Sequence, residues 1–344
     1  MKSSRRAFLA AASAAAMSSP FAARAQAASK VKFVLDWRFE GPAALFLMGN
    51  KGGHYAREKL DVTIDVGSGS GAAIQRVASG AYDIGFADIN SLIEFIGNNP
   101  NIPPDSRPVA VYMVYQTLPA AVFALKKSGI SKPADLNGKT MGGPVFDAGR
   151  KAFPMFAKAN GIDMAKTPWK SMDPPLREVM LVKGQVDAVV AFRFVGQLAL
   201  NAQGIKDEDL VVMPYRDFGV DLYSSTVIVN PRFARTNPEA VRAFLRGTTS
   251  AIKDCIANPE VAVQSVKYRD PLIDVPMELK RLKMCIDSAV VTPSAKVNGL
   301  GAIDKLRLDS TIDQVVAAFG IKNSVSPDGL FDSSYLPSSG SRRI

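Results

Sequence analysis

Apolar and polar positions alternate with two different periods in the first third of the chain. Val62, Ile64 and Val66 are separated by polar residues, and this period of two is typical of a strand. Ile74, Val77 and Ala78 follow with the spacing of one helix face. Short apolar runs at 31–35 and 84–87 predict two further strands. Strands that alternate with helices over residues 30–96 indicate an α/β domain with a mostly parallel sheet.

The same helix–strand joint returns later in the chain. The sequence GAYD at residues 80–83 precedes the predicted strand 84–87, and GQVD at 184–187 precedes the predicted strand 188–192. In each copy, glycine is expected to end a helix and aspartate to begin a strand. This repeat predicts two α/β lobes rather than one doubly wound sheet.

Short motifs in residues 30–96 resemble one family of solute-binding proteins. The motifs are Asp36-Trp37, Gly-His-Tyr at 53–55, Leu-Asp-Val at 60–62, Gly-Ser-Gly at 69–71 and Gly-Ala-Tyr-Asp-Ile-Gly at 80–85. Members serve ABC importers for alkanesulfonates and thiamine pyrimidine precursors, and the resemblance extends over residues 30–336. Asp36-Trp37 favours the pyrimidine-precursor branch. That branch usually continues with an Asn and a His, where this chain has Arg38, Phe39, Glu40 and Gly41.

The resemblance implies a type II periplasmic binding fold. Each lobe is then a mixed sheet flanked by helices, with a ligand cleft between the lobes. We expect the first lobe to comprise residues 28–117 and 223–336, and the second lobe residues 118–222. By analogy, hinges are expected at 116–119 and 219–225. Helices predicted from Pro238, Pro259, Pro276 and Ser310 are assigned to the first lobe, and residues 337–344 are expected to be a disordered tail.

Residues 1–27 have the pattern of an export signal. Ser-Arg-Arg-Ala-Phe-Leu at 4–9 matches the twin-arginine motif, and an alanine-rich run follows. Small residues allow cleavage after Ala25 or Ala27, and no cysteine lies near either position to carry a lipid anchor. We therefore expect a protein that is free in the bacterial periplasm.

Composition argues against several other classes of protein. No apolar stretch reaches the ~20 residues that span a bilayer. Removal of residues 1–27, which hold four basic residues and no acid, would lower the formal charge from +10 to +6. The remaining basic residues are scattered without interleaved aromatics, so nucleic acid is a poor partner. We expect a monomer whose partners are a small solute and a membrane permease.

The chemistry-bearing residues offer no catalytic or metal constellation. His54 is the single histidine and is predicted to lie in a surface turn, and no His/Cys/Asp cluster has metal spacing. There is no Gly-x-Ser-x-Gly elbow. We expect no catalytic residue, metal or cofactor. Cys255 and Cys285 lie on predicted helices, and both a disulfide and two buried free thiols remain open.

Ligands of parallel sheets bind beyond the carboxyl ends of the strands, where three loops of the first lobe converge. Trp37 offers a flat face for a ring, and Glu40 can accept hydrogen bonds from amino groups, or can be a solvated loop acid. The Gly-Ser-Gly segment offers backbone N–H groups at a helix start. The candidates in this lobe are Trp37, Glu40, Gly69, Ser70, Gly71, Asp88 and Asn90. One of Asp88, Asn90 and Ser91 is expected to cap a helix.

The second lobe and the hinges contribute the remaining candidates. Phe146 precedes a predicted helix, and Phe192 and Arg193 follow a buried strand. Arg193 is either a clamp for a carboxylate or sulfonate, or part of an ion pair between the lobes. Thr117 and Tyr223 lie at the expected hinges.

The leading hypothesis is a periplasmic solute-binding protein of an ABC importer that closes its lobes over a thiamine pyrimidine precursor or similar heterocycle. Arg193 and the basic balance favour a sulfonate or an aromatic carboxylate as the alternative. A pyrimidine-synthase-like enzyme is a more remote alternative, because those relatives need a catalytic histidine and a cysteine-rich motif. A ligand-presenting subunit of a sensor would share the same sequence features.

Overall fold

The computed structural model describes residues 28–344, and the expected export signal lies outside them. Within this range the chain forms two five-stranded mixed sheets. The first has the order β2-β1-β3-β10-β4 and consists of β1 (Ser29–Val34), β2 (Leu60–Asp65), β3 (Ile84–Asp88), β4 (Val109–Met113) and β10 (Ser225–Val229). The second has the order β7-β6-β8-β5-β9 and consists of β5 (Ala120–Leu125), β6 (Met141–Gly142), β7 (Trp169–Lys170), β8 (Ala188–Phe192) and β9 (Leu210–Pro214).

The two sheets have the same topology. In each, the fourth strand in the order is antiparallel to both of its neighbours, β10 in the first sheet and β5 in the second. Each of these strands begins where the chain has just crossed from the other sheet. We refer to the two halves as the first and second lobe. This arrangement confirms the predicted fold class of two mixed-sheet lobes.

Helices cover the faces of both sheets. The helices that precede the second lobe in the sequence are α1 (Ala44–Lys51), α2 (His54–Arg57), α3 (Ser70–Ala78) and α4 (Ile89–Asn98). Those of the second lobe are α5 (Ala148–Ala159), α6 (Arg177–Val182) and α7 (Arg193–Ala202). The C-terminal set is α8 (Pro231–Thr236), α9 (Pro238–Ala257), α10 (Pro259–Arg269), α11 (Val275–Cys285), α12 (Pro293–Asn298), α13 (Lys305–Phe319) and α14 (Pro327–Leu330). Among residues 28–344, no helix is both long and apolar enough to cross a bilayer.

The repeated helix–strand joint has the same hydrogen bonds in both lobes. Gly80 and Gly184 have φ angles of 77° and 66°, which favour glycine. The Asp83 carboxylate accepts a hydrogen bond from Lys32 N at 2.8 Å, and Asp187 accepts one from Thr140 N at 2.8 Å. In each lobe the aspartate therefore ties the start of one strand to its parallel neighbour. The internal repeat that the sequence predicted is confirmed.

Two crossing segments run side by side between the lobes. Leu118 N donates to Leu222 O at 2.9 Å, and Ser224 N donates to Tyr115 O at 3.1 Å. The lobes also share apolar core, since α5 of the second lobe packs against α4 and α13. Lys151 on α5 forms an ion pair with Glu94 on α4 at 2.8 Å. The described conformation therefore has its lobes in contact beyond the crossing segments.

Several local expectations are corrected by the structure. The helix expected from Ser310 begins at Lys305, because the Asp304 side chain caps it by accepting from Arg307 N at 2.9 Å. The expected disorder of residues 337–344 is not observed. Arg342 is buried there, and its guanidinium donates to the carbonyl oxygens of Pro337, Asn298 and Leu300. These bonds fix the C-terminal residues on the first lobe.

The histidine and the two cysteines are all buried. His54 lies between Asp254 and Arg57, with 2.6 Å to each, so the expected surface turn is wrong for this side chain. Cys255 and Cys285 are free thiols in the core of the first lobe. Burial raises the pKa of both, that of Cys285 to about 12.

Candidate functional site

A cavity lies between the lobes, at the carboxyl ends of β1 and β3 and the N-terminal ends of α5 and α7. The volume that the centre of a water-sized molecule can occupy in it is about 50 Å³. Its apolar surface is largely aromatic, with rings from both lobes: Phe46, Phe86, Tyr115, Phe192 and Phe194. The centroids of neighbouring rings lie between 4.9 and 6.2 Å apart in tilted or edge-on contact, the arrangement that aromatic pairs prefer. Such a cavity, apolar with a few polar groups, is the usual form of a small-molecule site.

Trp37 forms one side of the cavity and is held in the loop after β1. Gly67 N donates to Trp37 O at 2.9 Å, which fixes the loop backbone. The indole Nε1 is buried and has no hydrogen-bond partner among residues 28–344. The guanidinium of Arg177 lies over the ring, 5.1 Å from its centroid. This cation–π contact joins the two lobes across the cavity.

Arg177 is buried and is held by two carboxylates of its own lobe. It lies 3.0 Å from Asp147, the N-cap of α5, and 2.7 Å from Glu178. Burial alone would lower the pKa of Arg177. The negative charges of Glu178 and Asp147 outweigh this effect, so the pKa of Arg177 is raised. Burial also raises the pKa of Asp147, although Arg177 opposes this. The guanidinium therefore serves as a positioned wall rather than as a free cation.

Glu40 belongs to a second buried ionic network. Its carboxylate lies 3.3 Å from Arg281 on α11, which also pairs with Glu278 at 2.9 Å. Arg281 reaches into the second lobe, where it donates to the carbonyl oxygens of Phe194 and Val195 at 3.2 and 3.0 Å. Burial raises the pKa of Glu40, and Arg281 opposes the rise. The Glu40 atom nearest Arg281 is Oε2, which is buried and has no further partner among residues 28–344, and Glu40 lines the cavity.

Asp36 is an acid in the cavity wall that the sequence analysis did not select. It follows β1, next to Asp88 at the end of the neighbouring parallel strand β3. Burial, and after it the negative charges of Asp88 and Asp147, raises the pKa of Asp36 to about 8. No cation within residues 28–344 forms an ion pair with it. Near pH 7 this carboxyl is mostly protonated when nothing compensates its charge.

The Gly-Ser-Gly segment brings the lobes into backbone contact. Gly69 precedes α3 with φ of 127°, and its N–H donates to Asp36 O at 2.7 Å. A Cβ at Gly69 would lie 2.3 Å from the carbonyl oxygen of Phe146 in the second lobe. Gly71 N donates to that same carbonyl at 3.2 Å. Glycine is therefore needed at residue 69 both for its backbone angle and for the close approach of the other lobe.

Comparison with known proteins places the chain in a family. It matches the family described as NMT1/THI5 like over residues 43–262, more than half of its length. The chain belongs to this family. The riboflavin-binding protein RibY of Chloroflexus aurantiacus is 23% identical over 217 residues, 61% of this chain and 58% of RibY. The taurine-binding periplasmic protein of Escherichia coli is 27% identical over 201 residues, 56% of this chain and 57% of that protein.

These matches cover less than two thirds of the length of both relatives. Among solved structures, the alkanesulfonate-binding protein SsuA of Xanthomonas axonopodis pv. citri, bound to MOPS, superposes with a TM-score of 0.67. The two are 12% identical, and the match covers 86% of this chain and 95% of SsuA. This likeness confirms the fold expected from the sequence, the two-lobed type II periplasmic binding fold.

Five of the predicted site residues of this family member line the cavity. They are Trp37, Glu40, Gly69, Ser70 and Phe192. Ser70 is buried, and its hydroxyl accepts a hydrogen bond from Asp88 N at 2.9 Å. This bond uses the hydroxyl to join the start of α3 to the end of β3.

The other first-lobe candidates do not line the cavity. Their hydrogen bonds and packing hold the surrounding backbone in place. The Asp88 carboxylate caps α4 by accepting from Asn90 N and Ser91 N, and it also accepts from the Ser224 hydroxyl. Burial raises its pKa to about 6. The Asn90 side chain donates to Asp88 and to Tyr223 O. Gly71 faces Phe146 instead of the cavity.

The remaining candidates lie outside the cavity for identifiable reasons. Phe146 contributes its backbone to the lobe contact while its ring is partly exposed. The Thr117 hydroxyl donates to Ser288 O at 2.8 Å. The Tyr223 hydroxyl accepts from Asp304 N at 2.8 Å. Arg193 is exposed and donates to Gln197 of its own helix at 3.4 Å, so it contributes no charge to the cavity.

The cavity residues that the sequence analysis missed include Asp36, Tyr115, Asp147, Arg177 and Phe194. Asp36 had a usable signal, since it follows the same strand as Trp37 and directly precedes it. Arg177 had none, because it lies on a short helix whose place opposite Trp37 depends on how the lobes meet. Its partner Asp147 was visible only as a residue before a predicted helix.

Proposed function

We propose that this protein is the periplasmic solute-binding component of an ABC importer and that it holds a small organic solute between its lobes. The observation that carries the proposal is the aromatic cavity at the lobe interface, which Trp37 and Glu40 line. The indole Nε1 of Trp37 is buried without a hydrogen-bond partner in the described chain, whereas Glu40 Oε2 has Arg281 at 3.3 Å. A buried polar atom left unpaired costs about 1–3 kcal/mol, so a solute that pairs with the Trp37 indole gains affinity. The solute-binding roles named for RibY and the taurine-binding protein support the same role.

The cavity favours a flat solute that carries hydrogen-bond donors. Trp37 and the surrounding rings suit a heterocycle, and Glu40 accepts hydrogen bonds from amino groups. A thiamine pyrimidine precursor has this chemistry and remains the leading candidate. Binding would stabilise the state in which the lobes touch, and the closed protein would then dock on its membrane permease.

A sulfonate is the second candidate, because a taurine-binding and an alkanesulfonate-binding protein resemble this chain. The residue on which this alternative was based, Arg193, lies outside the cavity. The cavity arginine, Arg177, is already paired with two carboxylates. The heterocycle therefore has the stronger support.

Binding is favoured over catalysis by the position of the single histidine. A pyrimidine-synthase-like reaction calls for a histidine at the substrate. His54 is bonded to Arg57 and Asp254 and does not line the cavity. The cavity instead offers the walls and hydrogen-bonding groups of a capture site.

The test is to release the solute from natively purified protein, identify it by mass spectrometry and titrate it back calorimetrically. Trp37→Ala should weaken binding by about 1–3 kcal/mol, the range for removal of a stacked aromatic, or about 5- to 150-fold in Kd. Arg193→Ala is the matched control and should keep native affinity. Loss of affinity in the Arg193 variant with none in the Trp37 variant would refute this site and favour the anion alternative.

A further inference from the structure

The arginines around the cavity are already neutralised by protein carboxylates. Arg177 has Asp147 and Glu178 as partners. Arg281 has Glu278 and Glu40. Arg38 lies at the opening with 49% of its side chain exposed, 4.0 Å from Glu40. An anionic solute would thus find no cation in the described cavity that is both buried and unpaired.

The carboxyl of Asp36, unlike these arginines, has no residue of opposite charge as a partner in the described chain. It lines the cavity and forms no ion pair with the described residues. Its neighbour Asp88 has its oxygens occupied by Asn90, Ser91 and Ser224. Beside Asp88 in the sheet register, Ser225 is fully buried, and its hydroxyl, which faces Asp36, makes no well-formed hydrogen bond within residues 28–344. Glu40 is a second carboxylate in the cavity wall, but its Oε2 has Arg281 at 3.3 Å.

We propose that the cavity selects a solute with a protonated amine or amidine, and that Asp36 is the ionic partner of that group. This inference rests on the proposed function and adds the charge class of the solute. Asp36 would accept a charge-assisted hydrogen bond from the cationic nitrogen, the stronger kind of hydrogen bond in a protein interior. The apolar part of the solute would lie against Trp37 and the cavity rings.

The same arrangement disfavours a sulfonate or carboxylate. Such a group near Asp36 would meet a like charge in a poorly solvated space, or would require Asp36 to stay protonated. The N-terminus of α3 also lines the cavity, at Gly69 and Ser70. A helix dipole supplies about half a positive charge at its N-terminus. The N-termini of α5 and α7 also reach the cavity, and the Asp147 carboxylate caps that of α5. The helix ends therefore offer dispersed partial charges, whereas Asp36 offers one full charge to a cation.

Binding of a cation should be coupled to proton release. The titratable groups that face Asp36 from the surrounding elements are Asp88, Asp147, Tyr115 and Cys285, and none of them is cationic. With burial, the two aspartates raise the pKa of Asp36 to about 8. A cation binds the ionised form, so binding at pH 7 should be accompanied by proton release. Affinity should rise by about tenfold per pH unit up to about pH 8 and then level off.

Benzamidine and benzenesulfonate serve as flat probes of similar size and opposite charge. Calorimetry on wild type at pH 7, in buffers of different ionisation enthalpy, measures affinity and proton release together. We expect tighter binding of benzamidine, with proton release. Asp36→Asn should lower that affinity at least tenfold and abolish the release. Asp61→Asn removes an exposed carboxylate of the same sheet and should change neither.

Equal affinity for the two probes, tighter binding of benzenesulfonate, or an Asp36→Asn variant that keeps its benzamidine affinity would overturn the inference. The identity of the solute released from the purified protein distinguishes a wrong charge assignment from a wrong proposed function. If that solute rebinds but has no basic nitrogen, only the charge assignment fails. If no solute is released and neither probe binds, the proposed function fails with it.

Discussion

Arg281 joins the lobes through a side chain that is only 2% exposed. It reaches from α11 to the carbonyl oxygens of Phe194 and Val195 at the start of α7, while Glu278 and Glu40 balance its charge. The perturbation we consider is Arg281→Met, which keeps much of the side-chain length and removes the charge and its donors. It leaves two carboxylates in a buried region without their shared cation.

The expected loss follows from that burial. Removing one partner of a buried ion pair destabilises a protein by about 3–5 kcal/mol, because the remaining charge is left uncompensated. Exposed pairs contribute about 0–1 kcal/mol. Arg235 and Asp105 form such a pair, with donor–acceptor distances of 2.8 and 2.9 Å and side chains 59% and 45% exposed. Arg235→Met is therefore a control with the same chemistry at the surface.

Urea unfolding at pH 7.5, followed by circular dichroism, measures both free energies of unfolding. Arg281→Met should lose at least about 2 kcal/mol more than Arg235→Met, the difference between the two ranges. The loss should shrink as the pH falls towards 5, because Glu40, whose pKa burial already raises, becomes protonated and needs no cation. Equal losses in the two variants, or a loss that grows at low pH, would refute the assignment of Arg281 as a buried clamp.

Two further predictions concern backbone strain and thiol chemistry. Gly69→Ala should destabilise the protein by about 1–3 kcal/mol in urea unfolding and weaken solute binding, because it forces a strained angle and a backbone clash. Gly71→Ala, whose Cβ would touch only a ring edge at 3.0 Å, should lose less, and a reversed order would count against the close approach of the lobes at Gly69. Cys255 and Cys285 should react with a thiol reagent only after unfolding, and prompt reaction of native protein would contradict their burial.

Much of the fold was predictable because periodicity and turn chemistry are local. The alternation that begins at Val62 and the apolar run at 84–87 correspond to β2 and β3. The repeated Gly-x-x-Asp predicted a second lobe because a left-handed glycine and a strand-tethering aspartate are needed at each joint. The start of α13 was placed too late, since its capping residue, Asp304, lies before the apolar periodicity begins.

The candidate site was predictable only for residues in loops that follow a parallel strand or open the next helix. Trp37, Glu40 and Ser70 were found because loops after parallel strands converge. Arg177 was missed because no local pattern tells which side chain the second lobe brings across the cavity. Arg193 was wrongly predicted to contact the solute because a charged residue directly after a strand often binds a ligand. Its position on α7 leaves its side chain exposed to solvent.

The central claim is that the solute lies against Trp37 between the lobes. Trp169 packs edge-on against Phe153, 5.2 Å between ring centroids, and does not line the cavity, so Trp169→Phe leaves Trp37 as the single indole. The decisive measurement is the emission of this variant during titration with the released solute. We expect a saturable change at one solute per protein, with the Kd that calorimetry gives. Calorimetric binding at full affinity with unchanged Trp37 emission would contradict it.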